Sequence, residues 1–261
     1  MKSFSSRRVW GIVLRHLYNL KNNFDRIVDT FYWPAVDMLL FGLTIAAFTD
    51  PASAAFISVA IGICLWFVVW RSQSDMTVNL LEEFWSDNLA NIFASPITVY
   101  EWVFGLLAIS IIKLAMTLVL LGFLAYVLYA VNITSVSWIG LLFIASLLLT
   151  GWSIGFFITG LFMRYGTSLQ TLAWAGPVIL MPVSGTYFSI SLLPQWAQTI
   201  AKVVPSSYVF ESLRSVVIGG TFDPNMMVIS FALNAVYLVL SISFFITSFE
   251  RAKVLGIAHL K

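Results

Sequence analysis

Fifty consecutive residues, from Leu114 to Met163, contain no Asp, Glu, Lys or Arg. A helix crosses the roughly 30 Å hydrocarbon core of a bilayer in about 20 apolar residues, so this stretch has room for two crossings. Charge-free stretches at 38–49, 51–70, 165–201 and 224–249 repeat the pattern. Of the 261 residues, 60% are hydrophobic and only 10% charged, against roughly 25% charged in soluble domains. That much apolar surface cannot be hidden in one water-soluble core of this length. Disorder is excluded as well, because disordered segments are poor in apolar residues and rich in charge. Strand-like alternation is absent, so helices rather than a barrel satisfy the backbone in lipid. The expected fold is an all-α membrane protein with six transmembrane helices.

The spacing predicts spans at 33–48 (ended by Asp50 and Pro51), 54–70, 102–130 (interrupted by Lys113), 138–163, 169–186 and 226–249. Lys and Arg in loops set orientation. Six cations precede the first span; Arg71, Arg164, Arg251, Lys253 and Lys261 fall on the same side, and only Lys202 and Arg214 fall opposite. Both termini are therefore expected in the cytoplasm. The first thirty residues have no apolar core of a signal peptide. Instead Trp10, Val13, Leu14, Leu17, Leu20, Phe24, Ile27 and Phe31 recur at helical spacing among basic residues. Over residues 1–31 this predicts a helix lying in the membrane interface, its cations toward anionic headgroups.

Enzyme signatures are weak. Gly151, Ser153 and Gly155 match G-x-S-x-G, but that motif needs a strand-to-helix turn and a His base. Here it lies in a charge-free stretch, and the two histidines, His16 and His259, are near the termini. The same glycines read better as a small-xxx-small packing face. Two histidines and the single Cys64 predict neither a metal site nor an intrachain disulfide. No G-x-x-x-x-G-K-[ST] occurs, so the chain is not expected to be an enzyme or to hold ATP.

Three polar regions stand out. Asp37 and Lys113 are ionisable groups in apolar surroundings, candidates for a translocation path or for cross-helix pairing, and Trp33 is an aromatic candidate for the same path. The segment from Arg71 to Glu101 reads as cytoplasmic. Within it Asn88 to Ala94 form a short amphipathic helix with Leu89, Ile92 and Phe93 on one side, broken by Ser95 and Pro96; it packs on its own bundle or docks a partner. After Pro177 and Pro182 of the fifth span, Pro194 and Pro205 divide amphipathic pieces too short to cross. A re-entrant hairpin over 187–215 is expected there, an outer gate with Glu211 and Arg214 three apart on one helix face.

Three stretches together resemble the membrane subunit of an ABC-2 type exporter (type V ABC transporter), over nearly the whole length. They are Arg26 with Tyr32, Trp33, Pro34 and Asp37; Leu89 with Ala94, Ser95, Pro96 and Ile97; and, most specifically, Arg164, Tyr165 and Gly166 with Leu172, Trp174, Pro182, Gly185, Leu193, Pro194, Trp196, Pro205, Tyr208, Glu211 and Arg214. The resemblance implies one domain over 1–261: an interfacial helix over 1–31, spans one to five over 32–186, the gate over 187–215 and span six over 224–249. It also implies a homodimeric or paired channel powered by separate ATPase subunits, which hold the ATP and Mg. Arg7, Arg8, Asn88, Leu89, Asn91, Ile92, Phe93 and Pro96 would contact the ATPase. Tyr187, Pro194, Pro205, Tyr208, Glu211 and Arg214 would shape the gate. In this family the hairpin places Pro after a Tyr-Tyr pair, whereas here Tyr187 is followed by Phe188 and Ser189.

The implied location is the inner membrane of a prokaryote, with membrane lipids and no nucleic acid as partners. The implied function is export of a lipid, glycan or drug-like cargo. The alternative is a secondary transporter or channel working without an ATPase, although no repeat relates residues 1–130 to 131–261.

Overall fold

The computed structural model describes residues 4–132 and 137–255. Among these, every regular element is helical. In chain order they are α1 (Ser6–Asn22), α2 (Phe24–Ile27), α3 (Trp33–Ala46), α4 (Ala54–Trp85), α5 (Leu89–Ala94), α6 (Val99–Tyr129), α7 (Ser137–Tyr165), α8 (Leu172–Leu180), α9 (Gln195–Ala201), α10 (Pro205–Gly219) and α11 (Pro224–Leu255). Four stretches are long and apolar enough to cross a membrane: Ala54–Trp85, Val99–Tyr129, Trp138–Leu169 and Pro224–Val254. The expected first and fifth spans rest on shorter helices, of 14 residues in α3 and 9 in α8. Most of the polar turn expected at 132–137 lies outside the described residues.

Contacts fix the helix directions. α7 and α11 meet at Ser146–Ser230, Thr150–Asn234 and Arg164–Ser248, a constant offset of 84 residues, so they run parallel and in register. α4 is parallel to α7, with Gly151 against Val69 and Ser72, and Gly155 against Gln73 and Met76. α6 opposes α4, since Lys113 meets Asp75 whereas Tyr129 meets Phe56. α3 follows α6, with Thr30 beside Thr117 and Met38 beside Tyr129. α8 and the turn after it oppose α4, with Ala173 at Gln73 and Thr186 at Gly62. Thus α3, α6 and α8 run one way, and α4, α7 and α11 the other. α1 and α5 lie at one end of this bundle, and α9 and the start of α10 at the opposite end.

The Gly151 and Gly155 pair is a packing device. A Cβ on Gly151 would sit 2.6 Å from the Val69 carbonyl, and one on Gly155 would sit 2.9 Å from Met76 Cβ. Only glycine lets α4 and α7 approach this closely, which is the small-residue logic of helices in lipid. Ser153 donates to the Leu149 carbonyl at 2.8 Å inside α7, as a hydroxyl absorbed by its own helix.

The main correction concerns α4. It does not end near Trp70 but continues for 32 residues to Trp85. At ~1.5 Å per residue that is about 48 Å, longer than the bilayer core, so one end projects beyond it. Arg71, read as a loop cation, is 2% exposed within the bundle.

Candidate functional site

At the α5 end, α1 presents three flanks. Ile12, Val13, His16 and Leu20 are buried, with Ile12 packed against Gly105 of α6. Trp10 and Tyr18 remain exposed, so the apolar stripe expected over residues 10–31 is split between protein and surroundings. A third flank is polar and bonded. Arg8 clamps Glu101 with three hydrogen bonds of 2.6 to 3.0 Å. Arg15 pairs with Glu83 at 2.7 Å, and Asn19 donates to Glu82 at 2.8 Å. Arg26, just beyond α2's start, pairs with Glu82 as well.

Glu101 does double duty. With Thr98 it closes a capping box at the start of α6, the Thr98 N–H donating to Glu101 at 2.9 Å. It also accepts the Ser5 N–H at 2.6 Å. Glu82 and Glu83 precede α5, and Glu101 follows it. α1 and α2 therefore grip both roots of the short helix. His16 is buried at this junction, and burial, with the charges of Lys113, Arg15 and Arg26, lowers its pKa to about 3.

Within α5 the expected contact residues divide. Leu89 and Ile92 are buried in a cluster with Leu81, Val99 and Trp102 and anchor the helix on its own bundle. Asn88 donates to Glu83 at 2.7 Å, and Asn91 donates to Asn88 at 2.9 Å. Ala90, Asn91, Ala94 and Pro96 form the exposed edge. Phe93 belongs to α5 by its backbone; its side chain lies outside the described residues. Arg7 is exposed, whereas Arg8 is held by Glu101.

Deeper in the bundle is a charge cluster that sequence reading split in two. Asp75 accepts from Arg71 at 2.8 Å and from Lys113 at 3.2 Å, and Arg71 also reaches the Asp29 carboxylate at 2.7 Å and its carbonyl at 3.1 Å. Two cations and two carboxylates balance. The backbone helps to present Asp29: Pro34 lacks the N–H that would bond the Thr30 carbonyl, the chain opens into a π turn at Val28–Tyr32, and Thr117 donates to that carbonyl at 3.4 Å. On the same part of α4, Gln73 Oε1, Ser74 Oγ, Asp75 Oδ2 and Asn79 Nδ2 are buried without a hydrogen-bond partner, a polar seam of the kind that takes up internal water. Asp37, the other expected intramembrane charge, is half-buried and makes no ion pair among the described residues. Trp33 is exposed, its ring edge-on to Tyr32 at 5.4 Å.

The opposite end carries the expected hairpin residues. Glu211 accepts from the Ile190 N–H at 2.7 Å, Ser189 at 3.2 Å and Arg214 at 2.9 Å, while Arg214 donates to the Gly185 carbonyl at 2.7 Å. Gly185 has φ +77°, a left-handed turn glycine adopts without strain. This clamp ties the loop before α9 to α10. The Tyr187 ring packs against Phe41 of α3, centroids 5.0 Å apart and tilted by 39°, and Tyr208 donates to the Lys202 carbonyl at 2.8 Å. Pro194 opens α9, and Pro205 opens α10 and accepts from Ser230 at 2.8 Å. Phe210 of α10 packs on Trp66 of α4.

The structure thus gathers Arg8, Asn88 and Asn91 at one end, Lys113 at the buried cluster, and Glu211 and Arg214 at the far end. It adds Asp29, Arg71, Asp75, Glu83 and Glu101, which sequence reading did not single out. The chain matches no family model, and no curated protein is significantly similar to it.

Proposed function

We propose that this chain is the membrane subunit of an ABC-2 type exporter, working as a homodimer with separate ATPase subunits that carry ATP and Mg. The observation that carries the reading is the grip of α1 on both roots of α5. A push on the exposed edge of α5 moves α1, α4 and α6 together, because Arg15–Glu83 and Arg8–Glu101 flank it. A short helix held this rigidly suits a partner that performs mechanical work.

The alternating helix directions support six crossings, with α3 and α8 as the two short ones, lengthened by the π turn before α3 and by Met181–Val183 after α8. The basic residues around α1 support a cytoplasmic side for that end and for both termini, and in this reading the membrane is the inner membrane of a prokaryote. The clamped hairpin is then the outer gate. Exposed Leu39, Leu40 and Leu43 on α3, and Val178 and Ile179 on α8, offer faces for a second copy. The polar seam on α4 lies beside these helices and suits the path of a lipid, glycan or drug-like cargo.

A second reading, ion-coupled transport without an ATPase, draws on the buried Asp75 cluster. Its four charges neutralise one another, which leaves no net negative charge there to draw a coupling cation. The test is reconstitution in liposomes with a candidate P-loop ATPase from the same organism. The chain should raise ATP hydrolysis by that ATPase, and Asn91→Arg on α5 should abolish the rise. Hydrolysis indifferent to the chain would overturn the exporter reading.

A further inference from the structure

A cavity of about 610 Å³ lies between α7, α8 and α11, roofed by the end of α9 and the start of α10. Its size falls in the range of roughly 300–1,000 Å³ typical of small-molecule sites. One wall follows α11 from Asn234 to Phe244, about 15 Å of helix.

The lining contains no charged side chain. Its polar groups are occupied within the protein. Thr150 donates to Asn234 at 2.9 Å, and Asn234 donates to the Ser146 carbonyl at 2.9 Å. Ser153 and Ser241 bond carbonyls of their own helices, at 2.8 and 3.1 Å, and Tyr237 donates to the Val203 carbonyl at 2.8 Å. Water needs two to four polar partners to settle in a cavity, and this one offers few. An occupant is recognised here through apolar contact alone. The mouth is formed by Phe157, Ile200, Val203 and Leu240, all exposed and apolar, so the cavity opens onto the same surface that the long apolar helices present to a bilayer.

We infer that this cavity holds the acyl chain of a membrane phospholipid as a resident ligand, wedged beneath the α9–α10 hairpin. Hydrocarbon fills the space, leaves the internal hydrogen bonds intact and restores the dispersion contacts that an unfilled wall forfeits. The site is separate from the charged cluster and from the α1–α5 grip, and it rests only on the apolar helices crossing a membrane.

The test places the full chain in phosphatidylcholine vesicles containing a phospholipid with a diazirine in its acyl chain, and maps adducts by mass spectrometry after illumination. Adducts on the cavity walls, at 150–157 and 234–244, should exceed those on the exposed α6 surface around Val119 and Phe123 by about tenfold, equivalent to about 1.4 kcal/mol. Leu180→Trp, which fills the cavity, should remove the excess and leave the α6 adducts unchanged. Equal labelling of the two regions, or an excess that survives Leu180→Trp, overturns the proposal. If Leu180→Trp fails to fold, the ratio in the unsubstituted protein decides. A disulfide between copies of Leu240→Cys that excludes the lipid adducts would also overturn it, assigning the cavity to a second copy of the chain.

Discussion

Asp75 on α4 bridges Arg71 and Lys113 through a single oxygen, at 2.8 and 3.2 Å, and so joins two antiparallel helices where apolar packing surrounds them. Removing one member of a buried pair leaves its partner uncompensated, at about 3–5 kcal/mol. Asp75→Asn and Lys113→Met should each lower thermal stability by that order in detergent. The double variant, which restores charge balance, should recover part of the loss. The probe is the single buried thiol, Cys64, whose reaction with a thiol-reactive dye reports unfolding. Losses that simply add would mean the two groups are not coupled.

Arg71 and Asp75 also show where sequence reading stopped short. A charge after the charge-free run 51–70 looks like the end of a span, and Ser72, Gln73, Ser74 and Thr77 look like a wet loop. In the fold two of these side chains bond their own helix: Ser72 reaches the Val68 carbonyl at 2.6 Å, and Thr77 the Gln73 carbonyl at 3.3 Å. Such back-bonding lets polar residues continue a buried helix. The signal was present in the i,i+4 spacing of Arg71 and Asp75 and in Lys113, a lone charge with no other visible partner. By contrast, the four long helices were legible because continuous apolar runs admit few alternatives. The Gly151 and Gly155 face was legible too, because small residues at that spacing have a single packing use. The division within α5 was not, since Leu89 and Ile92 serve equally well as anchors or as contacts until their neighbours are known.

His16 makes the α1 junction acid-sensitive. Its pKa falls from 6.5 in the unfolded chain to about 3 when folded, so it contributes stability that is full above about 6.5 and is lost as pH falls toward 3. The slope within that window is at most ~1.4 kcal/mol per pH unit. Limited proteolysis should release α1 on acidification. His16→Gln should remove this sensitivity, leaving only the part due to carboxylates such as Glu101, which the hydrogen bond from Arg8 holds below the usual carboxylate range. An unchanged pH profile would show that His16 is not the responsible group.

Gly151 sits where Ser72 and Val69 of α4 leave no room for a side chain. Gly151→Val should force α4 and α7 apart and cost about 1–3 kcal/mol or more, as overpacking does. Gly11 has open space at its Cβ position, so Gly11→Ala should be neutral or mildly stabilising by helix propensity. Thermal unfolding of the two variants side by side checks the contrast.

Glu211 holds the Ile190 N–H at 2.7 Å and Arg214 at 2.9 Å. Glu211→Ala should free the loop before α9 and raise hydrogen exchange at Ile190 without exposing Phe210, which is buried against Trp66. Unchanged exchange at Ile190 would show that other contacts fix the loop.

In the proposed function, α5 meets an ATP-hydrolysing partner. The most direct measurement is site-specific cross-linking of Asn91→Cys, on the exposed edge of α5, in native membranes. The account predicts a nucleotide-sensitive adduct with a P-loop ATPase, and none from Val119→Cys on the exposed surface of α6. Capture of no ATPase from Asn91→Cys, in protein that still transports after purification alone, would contradict it.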